Sequence, residues 1–461
     1  MTQTETGRYD LVILGGGSGG YACALRAAEL GMQVVLIERD KVGGTCLHRG
    51  CIPTKALLHA AEIADHAKDA ASVGVRTTFD GIDMPSVNTY KDKVVDRLWK
   101  GLQGTLANRK VEIVYGNGRL ISPTAVAVGD AVYEGTHVVL ATGSEARSLP
   151  GLQVDGERVI TSDHALTLDR VPGSAIILGG GVIGVEFASV WRSFGADVTI
   201  VEMLPHLLPA EDESSSKLLE RAFRRRGINY QLGVRFSEVK ETATGVSVSL
   251  ENGTAIEAEV LLVAVGRGPV SANLGYEEAG VTMDRGFVLV DDYWRTSVPT
   301  ISAVGDLTPG LQLAHVGFAE GIAVAERLAK LPVTPIDYDG VPRVTYSDPE
   351  VASVGITSAT AAERGIETTE VTYNLGGNGK SVILQTQGAA KVIATAGGGP
   401  VLGIHLVGAR VGELIAEGQL IYNWEALPAE VAQLIHPHPT QSEAIGEAHL
   451  ALAGKPLHFH S

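Results

Sequence analysis

The strongest constraint on the fold is a pattern that occurs twice. Tyr9–Leu14 is a short apolar run, and it is followed by Gly15-Gly16-Gly17-Ser18-Gly19-Gly20 and a helical stretch from Tyr21 to Leu30. Gly15 suits a tight turn, Gly17 lets the backbone approach a pyrophosphate, and Gly20 lets the helix pack closely on its strand. Val34–Glu38 reads as the second strand, and Glu38 follows Gly20 by eighteen residues, the spacing of a carboxylate that accepts from ribose hydroxyls. At Ser174–Leu178 the pattern begins again with Gly179, Gly181 and Gly184, a helix through Glu186 to Phe194, and the strand Val198–Glu202. Glu202 follows Gly184 by the same eighteen residues, and Leu261–Gly266 mirrors Val138–Gly143. Two copies predict two bound dinucleotides. The acid at 202 favours a free 2′-hydroxyl, and so NAD over NADP.

Bulk properties narrow the partners. A chain of 461 residues with 45% hydrophobic content can bury several cores, which predicts three or four domains. The net charge of -16 and an isoelectric point near 5.3 argue against a polyanionic partner such as nucleic acid, because phosphate binding relies on clustered Lys and Arg. Residues 1 to 8 are polar and include Glu5, unlike a signal peptide. Every longer apolar stretch is broken well short of the ~20 residues a membrane span needs. These features predict a cytoplasmic protein with no membrane partner, where a purely structural disulfide is uncommon.

That expectation bears on Gly43-Gly-Thr-Cys46-Leu-His48-Arg49-Gly50-Cys51-Ile-Pro-Thr54-Lys55, which holds two of the three cysteines. The pair admits two readings, a redox-active disulfide or two unrelated buried thiols. A bridge across a regular helix would have to span roughly 8 to 9 Å between Cα atoms, more than the ~7 Å a disulfide tolerates. The redox reading therefore predicts an irregular backbone, with Gly50 as the break and Cys51 near a helix start that favours a thiolate. Cys23, on the first glycine-loop helix, reads as a small core residue.

Between and after the repeats, residues 56 to 110 read as helical around a loop at Gly74 to Pro85, and Val111–Tyr115 and Thr136–Ala141 return to strand. Gly116-Asn-Gly118 suits approach to a cofactor, and Thr142-Gly143-Ser144 ends a strand where ligands of parallel sheets gather. Pro150-Gly151 opens a linker. Thr300–Asp306 is a strand ending in Gly-Asp, read either as a turn or as part of a site, and a helix from Gln312 through His315 to about Leu331 can polarise a ligand carbonyl with its first turn. After Pro342 the texture changes to short strands, including Ala389 to Ala396 and Val401 to Val407, with a helix at Gly412 to Tyr422, which predicts a separate α+β domain. It ends in His436-Pro-His438-Pro-Thr-Gln-Ser-Glu443. Glu443 is placed to orient the His438 imidazole, and the alternative is a surface turn. His436, His438, His458 and His460 lack the cysteine or carboxylate cluster of a metal site, so no metal is predicted.

Taken together, the two fingerprints, the Cys-x4-Cys segment, the Gly-Asp strand and His438-Pro-Thr-x-Ser-Glu443 resemble the flavin disulfide reductases over nearly the whole chain. The resemblance implies an α/β fold of two Rossmann-like dinucleotide-binding domains, for FAD and NAD, plus a C-terminal α+β dimerisation domain. It divides the chain into 1–149 (FAD, with the redox disulfide), 150–270 (NAD), 271–341 (a central domain completing the FAD site) and 342–461 (the interface). The implied reaction is oxidation of protein-bound dihydrolipoamide, with electrons passing through Cys46-Cys51 and FAD to NAD+. The implied partners are a second copy, whose histidine serves the disulfide of the first, and lipoyl domains of 2-oxoacid dehydrogenase complexes or a glycine cleavage system. By the same resemblance Cys46 is the interchange thiol, Cys51 the thiolate beside the flavin, His438 the base and Glu443 its orienter. Lys55 and Glu186 would pair near the flavin's reactive nitrogen, Asp306 would bind the ribityl chain, and Ala314 and His315 would open the helix facing the pyrimidine carbonyl. The chain departs from the family between the cysteines, where His48-Arg49 replaces the usual Asn-Val, and at Thr54, where Ser is common.

Overall fold

The computed structural model describes residues 4–459. The chain folds into two compact units, each built from three stretches. The first takes the residues up to Ala56, Pro85–Arg147 and Gly266–Ile336, and the second takes Leu57–Met84, Ser148–Val265 and the residues from Asp337 onward.

In the first unit the strand Thr4–Leu14 lies centrally in a sheet, ordered Glu112–Tyr115, Val34–Glu38, Thr4–Leu14, Ala131–Leu140, Ala125–Val128 and Gly118–Ser122. The first four run parallel, and Ile301–Ala303 joins the far half of Ala131–Leu140, also in parallel. Leu11, Ile13, Leu36 and Val139 point into one core, while Val12, Leu14, Val35, Ile37 and Val138 point into the other. Burial on both faces is why these strands read as unbroken apolar runs. Cys23 is fully buried in the first of these cores, where burial pushes its thiol up to about 12.

Two expectations shift here. The strand expected at Thr136–Ala141 is longer, Ala131–Leu140, because its first half turns into an antiparallel meander with Ala125–Val128 and Gly118–Ser122. Pro85, expected in a loop, lies in the first turn of the helix Met84–Asn108, where a missing N–H breaks no intrahelical bond.

The second unit repeats this plan. Its parallel sheet is ordered Ile228–Leu232, Asp197–Glu202, Ser174–Leu178, Val260–Val263 and Val159–Ile160, beside an antiparallel meander of Phe236–Glu241, Val246–Leu250 and Ala255–Ala258. The same unit holds an antiparallel sheet ordered Arg343–Thr345, Glu350–Gly355, Val401–Gly408, Ala389–Thr395 and Thr368–Asn374. Val411–Asn423 and Glu443–Leu452 pack on that sheet through Val411, Ile415, Ala444 and Ile445. Among the described residues no helix is long and apolar enough to cross a membrane.

Candidate functional site

The two glycine loops share their turn and their helix packing. Gly15 and Gly179 take φ of +108° and +111°, and a Cβ there would lie 2.2 and 2.3 Å from the carbonyl oxygens of Ala141 and Ala264. A Cβ on Gly20 or Gly184 would lie 1.8 or 2.0 Å from the oxygen of Gly15 or Gly179, which is the helix-on-strand packing the spacing predicted. Gly17 and Gly181 stand just before the helices Ser18–Glu29 and Val182–Phe194, neither of which has a side-chain cap, so first-turn N–H groups remain for a ligand. Glu38 and Glu202 are buried and bridge backbone amides in the same way. Glu38 accepts from Gly16 at 2.7 Å and Asp40 at 2.8 Å, and Glu202 from Gly180 at 2.7 Å and Leu204 at 2.8 Å. Open backbone, a helix N-terminus and a fixed carboxylate fit a dinucleotide in both places.

The redox segment begins where Gly43 and Gly44, both with positive φ, start the six-residue helix Gly44–Arg49. That helix stops at Gly50, with φ of -144° and ψ of -112°, and the helix Cys51–Asp69 starts immediately after. The break and the helix-start position of Cys51 are those the spacing demanded. Thr54 donates its hydroxyl to the Gly50 carbonyl at 2.7 Å across the break, a bond that serine can equally make. Cys46 and Cys51 are half-buried thiols. The Cys46 thiol is hydrogen-bonded to Cys51 and buried, and both effects hold its pKa above the ordinary range while Lys55 pulls against them. His48 and Arg49 turn to the loop before the helix, where His48 Nε2 meets the Val42 carbonyl at 3.0 Å and Arg49 pairs with Asp40 at 2.9 Å.

In the second unit His438 Nδ1 and Glu443 Oε1 lie 2.8 Å apart, and Thr440 donates its amide to Glu443 Oε2, also at 2.8 Å. Burial raises the Glu443 pKa, but the Thr440 amide and His438 outweigh it and hold the carboxyl below its usual value. The His438 side chain is 77% exposed, and its Nε2 has no partner among the described residues. Beside it, His436 Nε2 meets Glu417 at 2.7 Å, and that carboxylate raises the His436 pKa against the effect of burial. Glu186 is buried and accepts from the Tyr346 amide at 3.0 Å. His458 is held by Glu447 at 2.8 Å, while His460 lies outside the described residues.

Residues 9–321 match the pyridine nucleotide-disulphide oxidoreductase family, and residues 341–449 match the dimerisation domain of that family. The chain belongs to this family. It is 39% identical to dihydrolipoyl dehydrogenase from Bacillus subtilis, over 98% of this chain and 99% of that one. It is 37% identical to leghemoglobin reductase from Glycine max, over 98% and 88% of the two chains. Among solved structures it resembles LpdA from Mycobacterium tuberculosis, with a TM-score of 0.89, 29% identity, and coverage of 97% of this chain and 100% of that one. It also resembles the HOCl-induced flavoprotein disulfide reductase RclA from Escherichia coli, with a TM-score of 0.86, 28% identity, and coverage of 96% and 99%.

Two residues of this oxidoreductase escaped the reading of its sequence. Arg267 donates Nε to the Ser144 hydroxyl at 2.8 Å and Nη2 to the Ser144 carbonyl at 2.6 Å, and Ser144 passes its own hydrogen to Asp306 at 2.6 Å. Nη2 also reaches the Thr45 hydroxyl at 3.4 Å, next to Cys46. Its signal lay in the repeat, since Arg267 follows Gly266 as Ser144 follows Gly143. Tyr21, in the first turns of the Ser18–Glu29 helix, is the second. Burial first, and then the charge of Cys46 and Cys51, pushes its phenol up to about 12. Of the remaining expected positions, Thr142 is hydrogen-bonded to Val270 and Tyr276, and Ala314 opens the uncapped helix Ala314–Leu328 with His315 next. Gly118 has a packing reason for lacking a side chain, because a Cβ there would lie 2.5 Å from Leu14 Cδ1.

Proposed function

We propose that this oxidoreductase oxidises protein-bound dihydrolipoamide to lipoamide and passes the two electrons to NAD+. The observation that carries the reading is the His438–Glu443 pair, an oriented base in a chain that also holds a thiol pair at a helix start. Glu443 fixes the hydrogen on Nδ1 and leaves Nε2 to take a proton. His438 accepts that proton from a substrate thiol. The resulting thiolate attacks Cys46 of the Cys46-Cys51 disulfide and forms a mixed disulfide, with Cys51 leaving as the thiolate. The second substrate thiol then displaces Cys46, releasing lipoamide and leaving the dithiol. FAD, when bound, supplies the two-electron relay from this dithiol to NAD+. Cys46 keeps its hydrogen because it donates to Cys51, and Lys55 favours negative charge beside the pair.

Gly15, Gly17, Gly20, Glu38, Gly118, Thr142, Gly143 and Ser144 would hold FAD, together with Lys55, Glu186, Asp306, Ala314 and His315. Gly179, Gly181, Gly184, Glu202 and Gly266 would hold NAD. The fourfold division 1–149, 150–270, 271–341 and 342–461 follows these roles. The family's dimerisation domain supports a homodimer; the proposal adds sites shared between its subunits, service to lipoyl domains of a 2-oxoacid dehydrogenase complex or a glycine cleavage system, and a cytoplasmic setting. The likeness to RclA, a flavoprotein disulfide reductase, favours a second reading, a disulfide reductase with a different acceptor; a quinone reductase is a further alternative.

Turnover of purified protein with NADH against lipoamide, glutathione disulfide and a quinone separates these readings. Lipoamide is expected to win by at least an order of magnitude, and a faster rate with either competitor refutes the proposal. His438→Ala is expected to lower lipoamide turnover by about 10²- to 10⁴-fold. If the sites are shared, a doubly tagged heterodimer of Cys46→Ala and His438→Ala subunits recovers up to about half of wild-type activity, since one of its two sites is whole. A heterodimer as inactive as its parents places each site within one chain.

A further inference from the structure

His48 and Arg49 lie between the two cysteines, and among the described residues neither side chain is bonded to a thiol. His48 meets the Val42 carbonyl at 3.0 Å, which requires the hydrogen on Nε2. Its ring stands edge-on to Trp99, with centroids 5.8 Å apart and planes at 81°. Lys41 Nζ lies 5.0 Å from the centre of the same indole. Trp99 Nε1 is buried without a hydrogen-bond partner among the described residues, so contact alone holds the indole in place. Arg49 pairs with Asp40 at 2.9 Å, both about half exposed, and the Asp40 amide donates to Glu38.

The redox helix needs such anchors. Six residues are too few for a helix to persist on its own, and this one has a glycine at each end, Gly43-Gly44 before and Gly50 after. Only Leu47 of its side chains is buried. A disulfide between Cys46 and Cys51 tolerates little change in Cα separation. Whatever fixes the helix therefore fixes the effective concentration of one thiol at the other.

We infer that His48 and Arg49 are positioning residues, tethering the helix that carries Cys46 to the Glu38–Val42 loop and so stabilising the Cys46-Cys51 disulfide against reduction. The inference rests on the reading of these cysteines as a redox pair. His48 is the stronger tether, because its partners Val42 and Trp99 are buried or half-buried and those of Arg49 are exposed.

The test is the equilibrium of the flavin-loaded protein with graded dithiothreitol buffers, quenched by alkylation and read by mass spectrometry. Loss of the His48 hydrogen bond in His48→Ala is expected to shift the disulfide toward reduction by about fivefold. Arg49→Val is expected to shift it by about twofold or less. His48→Gln keeps an N–H within reach of Val42 and is expected to restore most of the wild-type equilibrium at unchanged melting temperature, which general loosening would not do. If His48→Ala does not fold, Trp99→Leu removes the ring contact alone and is expected to shift the equilibrium in the same direction. A His48→Ala or Trp99→Leu equilibrium equal to wild type overturns the inference, and so does a His48→Gln protein as perturbed as His48→Ala. The outcome is independent of the substrate, so a wild-type enzyme that prefers glutathione disulfide refutes the proposed function and leaves this equilibrium to be judged by itself. A wild-type pair that never forms a disulfide in these buffers overturns both.

Discussion

The two glycine loops share their turns, their packing and their carboxylates, yet one is covered and the other is open. A Cβ on Gly17 would meet Gly44 Cα at 4.0 Å, whereas one on Gly181 would meet nothing within 4 Å. Behind the first loop, the helix Ser18–Glu29 is packed glycine to glycine on Ala314–Leu328, where a Cβ on Gly321 would lie 2.3 Å from the Gly19 carbonyl oxygen. The helix after the second loop carries Glu186, Phe187, Ala188 and Ser189 instead, and Met203, just after Glu202, is 55% exposed. Identical loops thus receive different surroundings. A cradle roofed by the redox segment suits a cofactor that stays, and an open one suits a dinucleotide that exchanges at each turnover.

The largest effects should come from the position where both loops are equally tight. Gly20→Ala and Gly184→Ala each drive a methyl into a backbone carbonyl that cannot move aside, at about 1–3 kcal/mol of stability. The consequences should diverge. Gly20→Ala is expected to purify without flavin, while Gly184→Ala stays yellow and loses NADH binding by more than about tenfold in titration. Loss of flavin from Gly184→Ala would show that the two loops are not assigned as proposed.

The carboxylates come next. A 2′-phosphate beside Glu202 meets like charge and forfeits a hydrogen bond, so NADH should be preferred to NADPH by about 10²-fold in kcat/KM. Glu202→Gln removes the charge and is expected to cut that preference to about tenfold. Glu38→Gln should leave the preference unchanged and speed flavin loss. A change in nucleotide preference on substituting Glu38 instead would invert the comparison.

These tests rest on positions that the sequence made legible, and the reason is local. Gly15, Gly20 and Glu38 act on neighbours within one strand–loop–helix turn, so their spacing carries the geometry. Gly50 is legible for a similar reason, because two thiols five residues apart cannot meet on a regular helix. Arg267 was legible only through the repeat, which sets it after Gly266 as Ser144 stands after Gly143; its partner lies 123 residues away, so no local pattern joins the two. The strands Phe236–Glu241, Val246–Leu250 and Ala255–Ala258 went unread as well, although Val246, Val248 and Leu250 alternate inward. Their counterparts in the first copy, Gly118–Ser122 and Ala125–Val128, were hidden in the same way by short, half-exposed strands. His48 and Arg49 were visible as a departure from the family, but only coordinates reveal which way such side chains turn.

Arg267 sharpens the comparison within the first unit. Ser144 and Arg267 hold equivalent places after Gly143 and Gly266, and the strands Ser144–Ala146 and Arg267–Pro269 pair antiparallel. Arg267→Met removes donors to Ser144 and leaves the chain to Asp306 loose, and it is expected to weaken flavin retention by about tenfold with NADH affinity unchanged. Arg267→Lys gathers its donors on one nitrogen, where arginine uses two, and should fall between. Equal loss of both dinucleotides would instead make Arg267 a general support of the strand pair.

The smallest and most discriminating effect belongs to the middle glycines. Neither Gly17, with φ of -73°, nor Gly181, with φ of -76°, needs the conformational freedom of glycine. A methyl at either position meets ordinary contact or open space, so Gly17→Ala and Gly181→Ala should both melt close to wild type. Each methyl nevertheless stands at the N-terminus of its helix, where a pyrophosphate would approach the backbone. Gly181→Ala is expected to raise the KM for NADH several-fold with flavin content intact. In Gly17→Ala the same intrusion is expected to speed flavin release, and the new methyl touches Gly44, which begins the redox helix, at an ordinary 4.0 Å. Faster alkylation of Cys46 in Gly17→Ala but not in Gly181→Ala would tie the cover of the first loop to the thiols. Unchanged alkylation in both would show that the redox helix lies over the first loop without depending on it.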